Sequence, residues 1–199
     1  GTVLKCVNQH WEGGREIFGI RFLPGFFPAG INTMLKDLIE KRVLLIDILD
    51  DINIISRMAL ETDFDKRIQV FLEEYSILEH KRPKSVTKLE LCMAVKDMIY
   101  KSGGLIKISE LSEKTDYTER YINKVFIEFM GFSPKTFCKI IQFQNAIELL
   151  NYGPDENFTK RVMELGYYDQ PKFIKDFKAY AGITPSKYIK MIHDEKYKE

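Results

Sequence analysis

A chain of 199 residues with 45% hydrophobic and 30% charged side chains holds enough apolar material for one or two ordinary cores and enough polar surface for water, which excludes a disordered chain. A formal charge of +1 excludes a strongly basic or acidic protein. No run approaches the roughly eighteen apolar residues of a membrane helix and no basic segment leads into an apolar leader, so no membrane and a cytoplasmic location are expected.

The first 80 or so residues read as α+β. VLKCV and EIFGIRFL, separated by the glycine pair of EGGR, predict a short β-hairpin within residues 3 to 27. Asn32 is a good N-cap, and Leu35, Leu38, Ile39, Leu45, Ile46 and Leu49 recur at roughly helical spacing, which predicts a helix over 33–49. A second helix is expected from Asp63 to Leu78, with Phe64, Ile68, Phe71, Leu72, Tyr75 and Leu78 on one side. HKRPKS at 80–85 places a proline inside a charged run and reads as an exposed linker. The domain boundary is expected there, dividing residues 1–82 from residues 83–199. The opening GTVLKC has no methionine, so truncation of the first segment is suspected. Charge divides unevenly, −2 over residues 1–83 against +3 over 84–199.

Beyond the linker the pattern is helical. Helices are expected over 86–100, 108–114, 118–130, 134–151, 159–165 and 170–179, with a last one from Pro185. Gly103 and Gly104 follow the first, and Pro134 and Pro185 suit first helical positions. FIEFMGFSPKTF at 126–137 returns 51 positions later as FKAYAGITPSKY at 177–188. Over 117–137 and 168–188 the identities are Tyr117/Tyr168, Lys124/Lys175, Phe126/Phe177, Gly131/Gly182 and Pro134/Pro185. Ile122 and Phe126 share one helix face, as do Phe173 and Phe177, and those faces are expected to be core. Tyr117 and Tyr168 are expected to be core as well. Each copy is a short helix, a tight turn and a second short helix, the helix-turn-helix pattern, whose second helix fits the major groove.

These residues resemble the AraC/XylS family of bacterial transcription regulators. The resemblance covers residues 86–192: ELGYYDQPKFIKDFKAYAGITPSKY is similar to the family signature, and ISELSEKTDYTERYINKVFIEFMGFSPKTF fits its looser form. It implies a mainly α, seven-helix domain with two helix-turn-helix units on one long helix, reading two successive major-groove segments. It implies double-stranded promoter DNA as partner and allows RNA polymerase, a second copy of the chain and an unknown small-molecule effector. Carried onto this sequence, the DNA-binding positions are Arg120, Asn123 and Lys124 with Thr118 and Tyr121 nearby, and Gln170, Pro171, Ile174 and Lys175 with Lys172 on the exposed side. Pro171 and Ile174 offer bases no hydrogen bonds, so the second unit is expected to contribute more phosphate binding and apolar contact than base readout. The sequence departs from the family at Arg161, where an aliphatic residue is usual, at Lys175, where arginine is common, and at Ile189, where arginine follows the tyrosine. FGIRFLPGFF more weakly resembles an element of an accessory domain found in some members, which implies that residues 1–82 are an accessory segment for regulation or dimerisation.

No chemistry is expected. His10, His80 and His193 are isolated and no H-E-x-x-H, phosphate-loop or G-x-S-x-G pattern occurs, so neither metal nor cofactor nor catalytic residue is assigned. Cys6, Cys92 and Cys138 are far apart and read as reduced, buried thiols; the first 80 residues hold no cysteine cluster of the kind a DNA-repair methyl acceptor needs. Net charge near zero keeps one alternative open, a protein-interaction module with weak or non-specific DNA binding.

Overall fold

The computed structural model describes residues 18–20, 35–38, 41, 43, 44, 47, 53–80, 86–151 and 158–196. Its helices, in chain order, are α1 Asn53–Leu60, α2 Phe64–His80, α3 Val86–Lys101, α4 Ile108–Thr115, α5 Glu119–Met130, α6 Pro134–Asn151, α7 Phe158–Glu164, α8 Gln170–Ala181 and α9 Pro185–Lys196, preceded by a 3-10 turn at Leu35–Leu38. Among the described residues there is no strand. The hairpin expected over 3–27 lies outside them except for residues 18–20, which are in neither helix nor strand.

The helix expected over 33–49 does not form as one piece. Leu35–Leu38 makes a single 3-10 turn, and residues 41, 43 and 44 are not helical. The apolar run Val43 to Ile46 covers every side of a helix instead of one stripe, so no single face is available to bury; Leu44 is exposed. Leu38, by contrast, is buried where the turn packs on α5. Helix α1 was not anticipated. It is one short amphipathic element whose Ile54 is buried among Ile55, Met58 and Phe71, and it pairs with α2 through Arg57, which donates to Glu73 at 2.9 Å and also to the buried Glu74.

The seven C-terminal helices hold two cores. The first gathers Leu91, Val95 and Ile99 of α3, Leu111 of α4, Ile122, Val125 and Phe126 of α5, and Phe137, Cys138 and Ile141 of α6. The second gathers Ala146, Leu149 and Leu150 of α6, Val162 of α7, Tyr167, and Phe173 and Phe177 of α8. Helix α6 therefore belongs to both cores, its first half to one and its second half to the other. The repeat extends beyond the sequence match: at the same offset of 51, Val95 corresponds to Ala146, Ile99 to Leu150 and Leu111 to Val162, all buried. Helix α3 is thus to the first unit what α6 is to the second.

Candidate nucleic-acid interface

The two repeated helices, α5 and α8, are built by the same local rules. At its start α5 has Thr118, extended at φ −64°, ψ 147°, whose hydroxyl accepts from the Tyr121 amide at 3.3 Å. Helix α8 has Asp169 in that place, accepting from the Lys172 amide at 2.7 Å. These caps satisfy amides that a helix start leaves without partners. Both helices end on a glycine in the left-handed region, Gly131 at φ 86° and Gly182 at φ 75°, each donating its amide back to the preceding turn. Ser133 and Thr184 then cap the helices that begin at Pro134 and Pro185, accepting from the amides of Thr136 at 3.1 Å and Lys187 at 3.4 Å.

Ile122, Val125, Phe126 and Met130 are turned inward on α5, and Phe173 and Phe177 inward on α8, with Phe129 and Ala181 packed at the core's edge. Thr118, Arg120, Asn123 and Lys124 are exposed in the first unit, and Gln170, Pro171, Lys172, Ile174 and Lys175 in the second. Tyr121 is half-buried and stacks on Tyr117 with ring centroids 5.2 Å apart. Each set falls on the outer face of one capped helix, and the turns before them, Asp116 to Thr118 and Leu165 to Asp169, hold α4 against α5 and α7 against α8. Asp116 takes φ 58°, a left-handed conformation that aspartate tolerates better than most side chains.

The tyrosine pair departs from expectation. Phe126 and Phe177 are fully buried, but Tyr117 is exposed and Tyr168 is 90% exposed. Both tyrosines lie in the turns, where helical periodicity does not apply. In the second unit the neighbouring Tyr167 enters the core and meets Phe173 edge-on at 5.2 Å. Burial lifts the Tyr167 hydroxyl to about 12, and the carboxylate of Asp176 acts in the same direction.

Residues matching a helix-turn-helix domain family model run from 111 to 191, spanning α4 through the first half of α9. Residues 111–191 are an AraC-type helix-turn-helix domain. The AraC-type domain carries both turns and both capped helices of the repeat. Curated relatives include the Msm operon regulatory protein of Streptococcus mutans, 21% identical over 140 residues, covering 70% of this chain and 50% of that protein. Another, an uncharacterized HTH-type transcriptional regulator of Haemophilus influenzae, is 28% identical over 85 residues, 43% of this chain and 28% of its own length. The chain thus spans about half the first relative's length or less. A solved structure, the C-terminal domain of AraT, a response regulator from Geobacillus stearothermophilus, is similar at a TM-score of 0.45 and 20% identity, covering 51% of this chain and 84% of that one.

Two side chains outside the expected set border the outer face of α8. Asp176 of α8 accepts from the Lys172 ammonium at 2.8 Å and lies 3.9 Å from that of Lys139 on α6. The Lys139 pair was not legible without the fold, whereas Lys172 and Asp176 stand four apart on one expected helix; the repeat also carries a signal, since Asp176 occupies the register of the buried Val125 and Lys139 that of Lys88. Lys88 of α3 pairs instead with Glu128 of α5, at 3.1 Å. Chemistry elsewhere is muted. Burial pushes the Cys92 thiol up to about 12 and raises that of Cys138, so neither is a ready nucleophile. Among the described residues no group of three or more His, Cys, Asp or Glu side chains is arranged to hold a metal ion, and no helix is long and apolar enough to cross a membrane.

Proposed function

We propose that the chain is a sequence-specific, non-catalytic transcription regulator that reads two successive major-groove segments of promoter DNA with α5 and α8. The observation that carries the reading is the doubling itself: two capped helices, each with an apolar inner face and a polar outer face, fixed to one shared 18-residue helix. At 1.5 Å per residue that helix is about 27 Å long, comparable with the roughly 34 Å between successive major-groove segments on one face of DNA. Arg120 and Lys124 have the donors to pair with guanine, and Asn123 and Gln170 with adenine. Thr118, Tyr121, Lys172 and Lys175 supply phosphate contacts, while Pro171 and Ile174 offer apolar surface to thymine methyls.

In this reading residues 83–199 are the DNA-binding domain and residues 1–82 an accessory segment for regulation or dimerisation. RNA polymerase and a second copy of the chain are the protein partners, and the location is cytoplasmic. The relative named as an operon regulatory protein supports the regulatory role. Selection of genomic fragments by the purified chain tests it. Enrichment of a bipartite site with half-sites about one helical turn apart is expected. No enrichment, together with binding that ignores salt, would instead favour a protein-interaction module, because phosphate neutralisation must release counterions.

A further inference from the structure

The two units are not electrostatic copies. In the first, the leading helix reaches the back of α5 through Lys88 and Glu128, near the helix's C-terminal end, and Val125 fills the seam between them. In the second, the residue in Val125's register is Asp176, a half-buried carboxylate. It sits one turn nearer the DNA-facing start of its helix than Glu128 does on α5. One oxygen takes the Lys172 ammonium at 2.8 Å, and the other lies 3.9 Å from that of Lys139 on α6. Lys172 is exposed on the outer face of α8, among the proposed phosphate contacts, and this pairing draws its ammonium back along the helix toward α6. The Arg120, Lys124 and Lys175 side chains form no such ion pair with another described residue.

We propose that Asp176 is a positioning residue that sets the grip of the second unit: it occupies Lys172 internally, so that α8 neutralises fewer phosphates than its outer face would otherwise allow. The carboxylate gives Lys172 the anionic partner that a phosphate oxygen would otherwise be, and the first unit lacks the device because Val125 and Tyr121 stand in the registers of Asp176 and Lys172. The two halves of the domain therefore differ in kind, with α5 binding through its full set of cations and α8 through a restrained one. This inference rests on the DNA-binding reading above.

The test uses the 199-residue chain and mixed-sequence duplex DNA several helical turns long, with the binding constant followed against salt. D176N keeps the side-chain shape and removes the charge. It is expected to bind more tightly at low salt, with a slope of log K against log salt more negative by about 0.9, the value for one additional neutralised phosphate. D176V, which copies the first unit's residue, is expected to steepen the slope equally and guards against a folding defect peculiar to asparagine. D176N/K172Q is expected to return to the parent slope. A salt-dependent parent with an unchanged slope in both D176N and D176V overturns this inference alone. So does a double variant that stays steep, since Lys172 would not be the cation released. A parent whose binding ignores salt removes the DNA-binding reading and this inference with it.

Discussion

Arg120 and Asn123 stand one turn apart on the outer face of α5, held there because Ile122 and Phe126 occupy the inner face. A bidentate contact with a wrong base typically costs about 1–3 kcal/mol, so Arg120→Ala and Asn123→Ala should each relax preference at one operator position while leaving most of the affinity. Selection profiles of the variants check this, and unchanged profiles would remove both from the set of readers. Cys92 gives a residue-scale prediction of another kind. Its thiol is held at about 12 by burial, above its ordinary value of 9.0, so the folded state keeps a proton that the unfolded chain releases. Stability from this group is complete below about pH 9 and is lost as pH rises toward 12. Thermal melts of the parent should fall in that window, and those of Cys92→Ala should fall less steeply with pH.

At the scale of elements, much of the C-terminal half was legible because its signals are local. Gly131 and Gly182 mark helix ends, Pro134 and Pro185 mark helix starts, and the structure places each as expected. Removing a cap should cost about 0.5–2 kcal/mol, so Thr118→Ala and Asp169→Ala should lower the melting temperature and weaken DNA binding, each through its own helix. Circular dichroism melts and half-site binding check both effects. What was not legible depended on neighbours distant in sequence. The stretch 33–49 carries apolar residues enough for a helix, yet among the described residues helical form is limited to the 3-10 turn that meets α5 and to Asp47. Tyr168 shares the register of Tyr117 but is far more exposed, because the first unit's tyrosine finds Tyr121 to stack on while the second unit has Lys172 at that register. The second partner of Asp176 was equally hidden, since KFIKDFK shows Lys172 four residues away but not that Lys139 of another helix lies alongside.

For the whole molecule, the shared helix α6 decides the behaviour. Its Phe137 and Ile141 close one core and its Leu149 and Leu150 the other, so neither unit can shift without moving a side chain of the other's scaffold. Gln144 lies exposed between the two halves. Proline there would remove a hydrogen bond and clash with the preceding turn, at a cost of about 3 kcal/mol or more. Gln144→Pro should therefore abolish preference for a fixed half-site spacing while leaving recognition of single half-sites measurable; spacing-variant duplexes in a competition assay distinguish the two. Truncating Phe126 or Phe177 to alanine should cost about 3–5 kcal/mol, and through α6 should weaken both units together.

The contact of the turn Leu35–Leu38 with α5 has a counterpart in time. A Cβ on Gly131 would come within 3.1 Å of the Leu35 backbone, so the N-terminal segment lies directly over the point where α5 ends, and Gly131 is buried while Gly182 is exposed. Amide protons in the last turn of α5 should then exchange with solvent more slowly than those in the last turn of α8. Twin helices by sequence would thus keep different clocks, and an event in the N-terminal segment would reach the first reading helix before the second.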